Sequence, residues 1–133
     1  MDVLTGVFQI LAMVIAVGGV AKLVTPTAFA ATLHALGLPG GTLAARASGV
    51  VEVVIGIGAV LVGGRVAALV IAAAYAVFTL VVVAARRAGA ESCGCFGAVA
   101  APPSTVHVVV NATSAAIATG HGRGLGRLLG KVD

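Results

Sequence analysis

The chain has 133 residues, 60% of them hydrophobic and only 9% charged, with a mean hydropathy of +1.18. Soluble domains carry about 25% charged residues, so this composition excludes an ordinary water-soluble fold and points to a bilayer. The net charge of +4 would suit a nucleic-acid ligand, but there is no basic run with stacking aromatics; the basic residues read as helix-end anchors and topology signals.

Residues 3–23 form the first predicted span, free of charge from Val3 to Ala21 and long enough as helix to cross a hydrocarbon core of about 30 Å. Ala28-Phe29-Ala30 resembles a signal-peptide cleavage site. Asp2 in place of a basic n-region, and the length of the apolar run, argue for a retained helix instead. Thr25 is the expected N-cap of a short helix with Pro26 at its first position. Phe29, Leu33 and Leu36 follow at i, i+4 and i+7 as one apolar face. Gly37 ends this piece and Leu38-Pro39-Gly40-Gly41 turns the chain. The helix is too short to span, so it is expected at the membrane interface or over the bundle.

Spans two and three are predicted over 47–64 and 66–85, joined by the tight turn Gly63-Gly64-Arg65 and therefore antiparallel neighbours. Arg86-Arg87 closes span three. A loop over 88–103 leads through Pro102-Pro103 into a more polar fourth span at 104–120, and Arg123, Arg127 and Lys131 form a Gly-rich anchor after it. The expected architecture is all-α: one integral membrane domain over 1–133, a four-helix transmembrane bundle with a short interfacial helix between helices 1 and 2. Charge does not orient it. Arg65, Arg123, Arg127 and Lys131 on one side balance Lys22, Arg46, Arg86 and Arg87 on the other.

The 88–103 loop holds both cysteines of the chain, in Cys93-Gly94-Cys95-Phe96-Gly97. Closing so small a ring removes only about 1.6 kcal/mol of unfolded-state entropy, which strain can cancel, so the pair makes a poor staple. A strained, exposed disulfide has a high reduction potential and passes its oxidising equivalents on. Gly94 gives the backbone the freedom such a ring demands. Arg86, Arg87 or His107, if near a thiol, would favour thiolate. Three readings stand at this point: a redox pair, a soft-metal site for copper(I) with His107 as a further ligand, or an inert reduced pair. A stable disulfide is favoured outside the cytosol, which leans the loop to the extracytoplasmic face.

Glu52 interrupts span two. A carboxylate inside a membrane helix costs about 2.5–3.5 kcal/mol on insertion scales, so it must meet a partner or a cavity. Gly49 and Gly56 share its helix face and admit a neighbouring helix closely. Lys22 is the expected counter-ion, whereas Arg46 lies roughly 120° round the helix from Glu52. Such a pair either fixes helix packing or carries protons or contacts a quinone. His107, with Asn111 at i+4, joins Lys22 and Glu52 as a candidate cleft for a quinone head group. His34 and His121 read as ordinary, and Tyr75 and Phe78 as packing.

Lys22-Leu23, Pro26, Phe29, Gly37-Leu38-Pro39, Arg46 with Gly49, Glu52 and Gly56, and the Cys93-Gly94-Cys95-Phe96-Gly97 block together resemble the methylamine utilisation protein MauE family, within the wider DoxX-like group of four-helix membrane proteins. The sequence departs from the family pattern at Val110-Asn111, where an Arg is expected before the Asn. The resemblance implies a plasma (inner) membrane, multi-pass factor in maturing the small subunit of methylamine dehydrogenase, a disulfide-rich periplasmic protein, acting beside a thioredoxin-like partner. It implies Cys93 and Cys95 as the redox pair, with Lys22, Arg46 and Glu52 as supporting polar groups. The expected activity is thiol–disulfide exchange with a thioredoxin-like or cysteine-containing extracytoplasmic protein, with a membrane quinone as the simplest electron acceptor. The alternatives are a non-enzymatic assembly scaffold and a copper-handling protein.

Overall fold

The computed structural model describes residues 3–89 and 105–130, with side chains over 3–89 and 108–124. Five helices account for the described chain: α1 (Val3–Val24), α2 (Thr27–Ala35), α3 (Gly41–Val62), α4 (Gly64–Arg87) and α5 (Thr105–Gly130). Among the described residues, α1, α3 and α4 are long and apolar enough to cross a membrane. Helix is the state that pairs every backbone N–H and C=O within its own segment, so valine-rich runs with modest helix propensity still coil in lipid.

The outer surface differs from that of a soluble protein. Ile10, Leu61, Val62 and Leu80 face outward, whereas Lys22 and Glu52 are buried. Outward apolar side chains over whole helices mark a lipid-facing surface. Inside, α1 packs chiefly on α3, α4 on α5, and α2 on α3. The core joins Phe8, Ala12 and Ile15 of α1 to Ala59 of α3, Ala68, Ile71 and Tyr75 of α4, and Ala118 of α5. Tyr75 donates its hydroxyl to the Leu11 carbonyl at 2.7 Å, tying α4 to α1, and its ring meets Phe78 edge-on.

Three boundaries differ from those the sequence predicts. Thr25 does not cap α2: its hydroxyl donates back to the Ala21 carbonyl at 3.2 Å, extending the end of α1, and Pro26 stands at the N-cap without a side-chain bond. The residue before a proline is driven out of the α region, which breaks the chain between α1 and α2. The second span starts at Gly41 and not at 47, so Arg46 lies inside α3; one exposed charge near a helix start interrupts the apolar run without interrupting the helix. The segment predicted as the fourth span is α5, which runs on to Gly130, so its end is not at 120 and the Gly-rich segment is no tail. His121 is buried there against α1 and Gly122 against α4, and this tertiary packing overrides glycine's poor propensity.

The turns do follow the sequence. α2 ends in a Schellman motif, with Gly37 N–H donating to the His34 carbonyl and Leu38 N–H to the Leu33 carbonyl. Gly37 takes the left-handed φ of +74° that this motif requires. Between α3 and α4 a single non-helical residue, Gly63, reverses the chain at φ 64°, ψ −158°, a region only glycine enters readily.

The α1–α3 seam is closed by glycine. A Cβ on Gly56 would lie 2.5 Å from the Ala12 carbonyl oxygen and 2.8 Å from the Ala16 Cβ. Gly58, on the other side of the same helix, would meet nothing within 4 Å. Gly56→Val is therefore expected to cost about 1–3 kcal/mol through overpacking, measured by unfolding in mixed micelles, while Gly58→Val leaves the midpoint nearly unchanged. Equal effects from both variants would refute the seam.

Candidate functional site

α1 and α3 run antiparallel, with Gly19 beside Gly49. A Cβ on Gly49 would lie 2.7 Å from the Gly19 carbonyl oxygen, and one on Gly19 would lie 2.5 Å from that of Gly49. Small residues at this crossing bring the backbones together and set the last turn of α1 against the middle of α3. Lys22 and Glu52 meet there. The Lys22 ammonium donates to both carboxylate oxygens, at 2.7 and 2.8 Å, and Ser48, one turn before Glu52, donates to Oε1 at 3.4 Å. The Lys22 residue is 2% exposed and Glu52 6%.

Two rings complete the cluster. The Lys22 ammonium sits 4.9 Å from the ring centroid of Phe29 on α2 and 5.5 Å from that of Phe78 on α4. Both lie within the roughly 6 Å at which a cation is attracted to a ring face, an interaction that strengthens when desolvated. Four helices thus contribute to one charge cluster: α1 the cation, α3 the anion, α2 and α4 the aromatic walls. A buried pair is a weak source of net stability, because desolvation offsets much of its attraction. Removing one partner alone is costly.

The sequence-expected site residues fall into three groups. Lys22 and Glu52 are brought together, as a bidentate ion pair. Arg46 is exposed on α3, and Asn111 is half-buried on α5; neither shares a described hydrogen bond with the pair. Cys93, Gly94, Cys95, Phe96, Gly97 and the side chain of His107 lie outside the described residues. The Lys22–Glu52 part of the expected quinone cleft is closed on itself, with Phe29 on one side and Phe78 on the other.

Sequence reasoning missed Ser48, Phe78 and His121. Ser48 carried a readable signal, standing at i−4 from the only carboxylate of its span. Phe78 carried none, since its role depends on the packing of α4 against α1. His121 is 7% exposed and stacks on Phe8 at a centroid distance of 4.5 Å and an interplanar angle of 18°, which joins the end of α5 to the start of α1.

Breaking the pair tests its role. Lys22→Met or Glu52→Leu alone leaves a buried charge uncompensated and is expected to lower stability by about 3–5 kcal/mol, whereas the double variant regains most of the loss. Unfolding midpoints of the four chains in mixed micelles measure this. Additive single effects, with no recovery in the double variant, would contradict it.

The matching family model describes the methylamine utilisation protein MauE and covers residues 2–122. No curated protein and no solved structure matches the chain at a significant level. With nearly the whole sequence covered, including the α1–α3 pair and the cysteine segment, the chain belongs to the methylamine utilisation protein MauE family.

Proposed function

We propose that this membrane protein is a thiol–disulfide oxidoreductase, a redox maturation factor whose Cys93-Gly94-Cys95 pair exchanges disulfides with a thioredoxin-like or cysteine-containing extracytoplasmic protein. The reading is carried by where the pair falls. Both cysteines of the chain stand between the end of α4 at Arg87 and the start of α5 at Thr105, in a segment the family match includes. A three-residue ring there adds little to stability, so its use is chemical.

The exchange balances as follows. A partner thiolate attacks one sulfur of the oxidised pair, that S–S bond breaks, and a mixed disulfide forms. A second partner thiolate attacks the mixed disulfide and leaves with the partner's new disulfide. Two electrons and two protons have then passed to Cys93 and Cys95. Reclosing the dithiol to a disulfide releases the two electrons and two protons again, and a membrane quinone would be the acceptor, supplying a two-electron, two-proton reduction to quinol.

Charge supports an extracytoplasmic cysteine segment. With α5 as the fourth span, the end of the bundle holding the α3–α4 turn carries Arg65 and Arg123, both exposed, and the sequence adds Arg127 and Lys131. The other end carries Arg46, Arg86 and Arg87. Lys22 drops out of the count, because Glu52 neutralises it inside the bundle. The tie read from sequence becomes four against three, which favours the α3–α4 turn in the cytoplasm and the α4–α5 segment outside.

Serine variants test the chemistry. Of Cys93→Ser and Cys95→Ser, one is expected to accumulate a mixed disulfide, seen as a reducible mass shift, because in the reverse exchange its remaining thiolate attacks the disulfide of an oxidised partner and no second thiol is left to release it; the double variant forms none. Full thiol-oxidising activity in both single variants would refute the proposal. Stoichiometric copper in the purified protein, lost on either substitution, would favour metal handling instead.

A further inference from the structure

At the end of the bundle that holds the α3–α4 turn, two helices bring exposed cations together. The stack of His121 on Phe8 and the packing of Gly122 on the first turn of α4 fix the depth of α5 there. A Cβ on Gly122 would lie 3.2 Å from the Ala68 Cβ and 3.8 Å from the Arg65 carbonyl oxygen, so Arg123 stands beside the start of α4. Arg65 and Arg123 are both exposed, and neither forms an ion pair among the described residues. The helical backbone of α5 sets position 127, another arginine, one turn beyond 123 on the same face. The sequence adds Lys131 at this end, with Asp2 and Asp133 as the acidic residues against four cations.

The surroundings of the two arginines are of a particular kind. Leu61, Val62 and Val66, on either side of the turn, are exposed aliphatic residues. Exposed aliphatic side chains that give way to exposed arginine within one turn mark the depth at which hydrocarbon meets head groups. Space is open there as well: a Cβ on Gly63, Gly64, Gly120 or Gly124 would meet nothing within 4 Å. Both arginines are thus flanked by bare backbone, over which a bulky anion can settle.

We propose that Arg65 and Arg123 form a binding site for the phosphate of an anionic phospholipid, which bridges the start of α4 to α5. The guanidinium fork matches phosphate oxygens in pairs. The molecule that reaches both arginines at this depth is one whose acyl chains lie along Leu61, Val62 and Val66 while its phosphate sits in the head-group layer. A water-soluble acidic protein would have to enter that layer to do the same. The site rests on neither the thiol chemistry nor the orientation proposed above.

Native mass spectrometry of the full chain, in detergent micelles carrying equal amounts of phosphatidylglycerol and phosphatidylcholine with the same acyl chains, reads the site. The unsubstituted chain is expected to retain phosphatidylglycerol about thirtyfold over phosphatidylcholine, and Arg65→Gln and Arg123→Gln each to lower that preference about fivefold. Both are surface changes that leave the core intact. Arg46→Gln, at an exposed arginine of the opposite end, leaves the preference unchanged, and excess inorganic phosphate or polyglutamate leaves the lipid in place. The site is overturned if both variants keep the full preference, or if Arg46→Gln lowers it equally, as bulk charge would. Displacement by inorganic phosphate would make it a free-anion site, and displacement by polyglutamate a dock for an acidic protein; either result also overturns it.

Discussion

A lysine and a glutamate facing each other in the interior of a lipid-embedded bundle fix the register of everything around them. Neither charge tolerates hydrocarbon alone, and at 2.7 and 2.8 Å each answers the other. Their meeting requires α1 and α3 to approach closely, and that explains Gly19, Gly49 and Gly56 at the crossing. Once α1 and α3 are set, α4 is tied to them by Tyr75 on the Leu11 carbonyl and Phe78 beside Lys22, and α5 packs along α4 with His121 reaching Phe8 of α1. The bundle is a chain of long-range contacts anchored at one polar point.

The same pair has a consequence for topology. A lysine at a helix end ordinarily weighs on orientation, but one neutralised inside the protein does not present its charge to the membrane surface. With α5 taken as the fourth span, as proposed above, removing Lys22 from the tally turns an even split into four against three, in the direction that the proposed disulfide chemistry favours. The proposed thiol chemistry and the charge count lean to the same orientation.

Much of this was legible in the sequence, and the exceptions share a cause. α1 and α4 follow from charge-free runs, α3 from an apolar run interrupted by Glu52, and the α2 stop from Gly37. The Lys22–Glu52 partnership follows from the cost of a lone carboxylate and the glycines three before and four after it. Arg46 hid the true start of α3, because a hydropathy run stops at a charge while a helix does not. The extension of α5 was hidden by glycine and arginine, which read as tail until His121 finds Phe8 far away in sequence. Phe29 and Phe78 read as packing, since a ring over a buried cation depends on how three other helices place that cation. Local patterns were readable; contacts between distant helices were not, save where an expensive charge demanded a partner.

Differential alkylation of Cys93 and Cys95 in intact cells decides whether the ion-paired bundle holds a switchable cysteine pair on its extracytoplasmic side, as proposed. A membrane-impermeant maleimide is applied before and after a membrane-impermeant reductant, and the mass of the chain is read. Both thiols are expected to be blocked before reduction and labelled from outside after it. Thiols free in the untreated cell, or reached only from the cytoplasmic side in inverted vesicles, would contradict it.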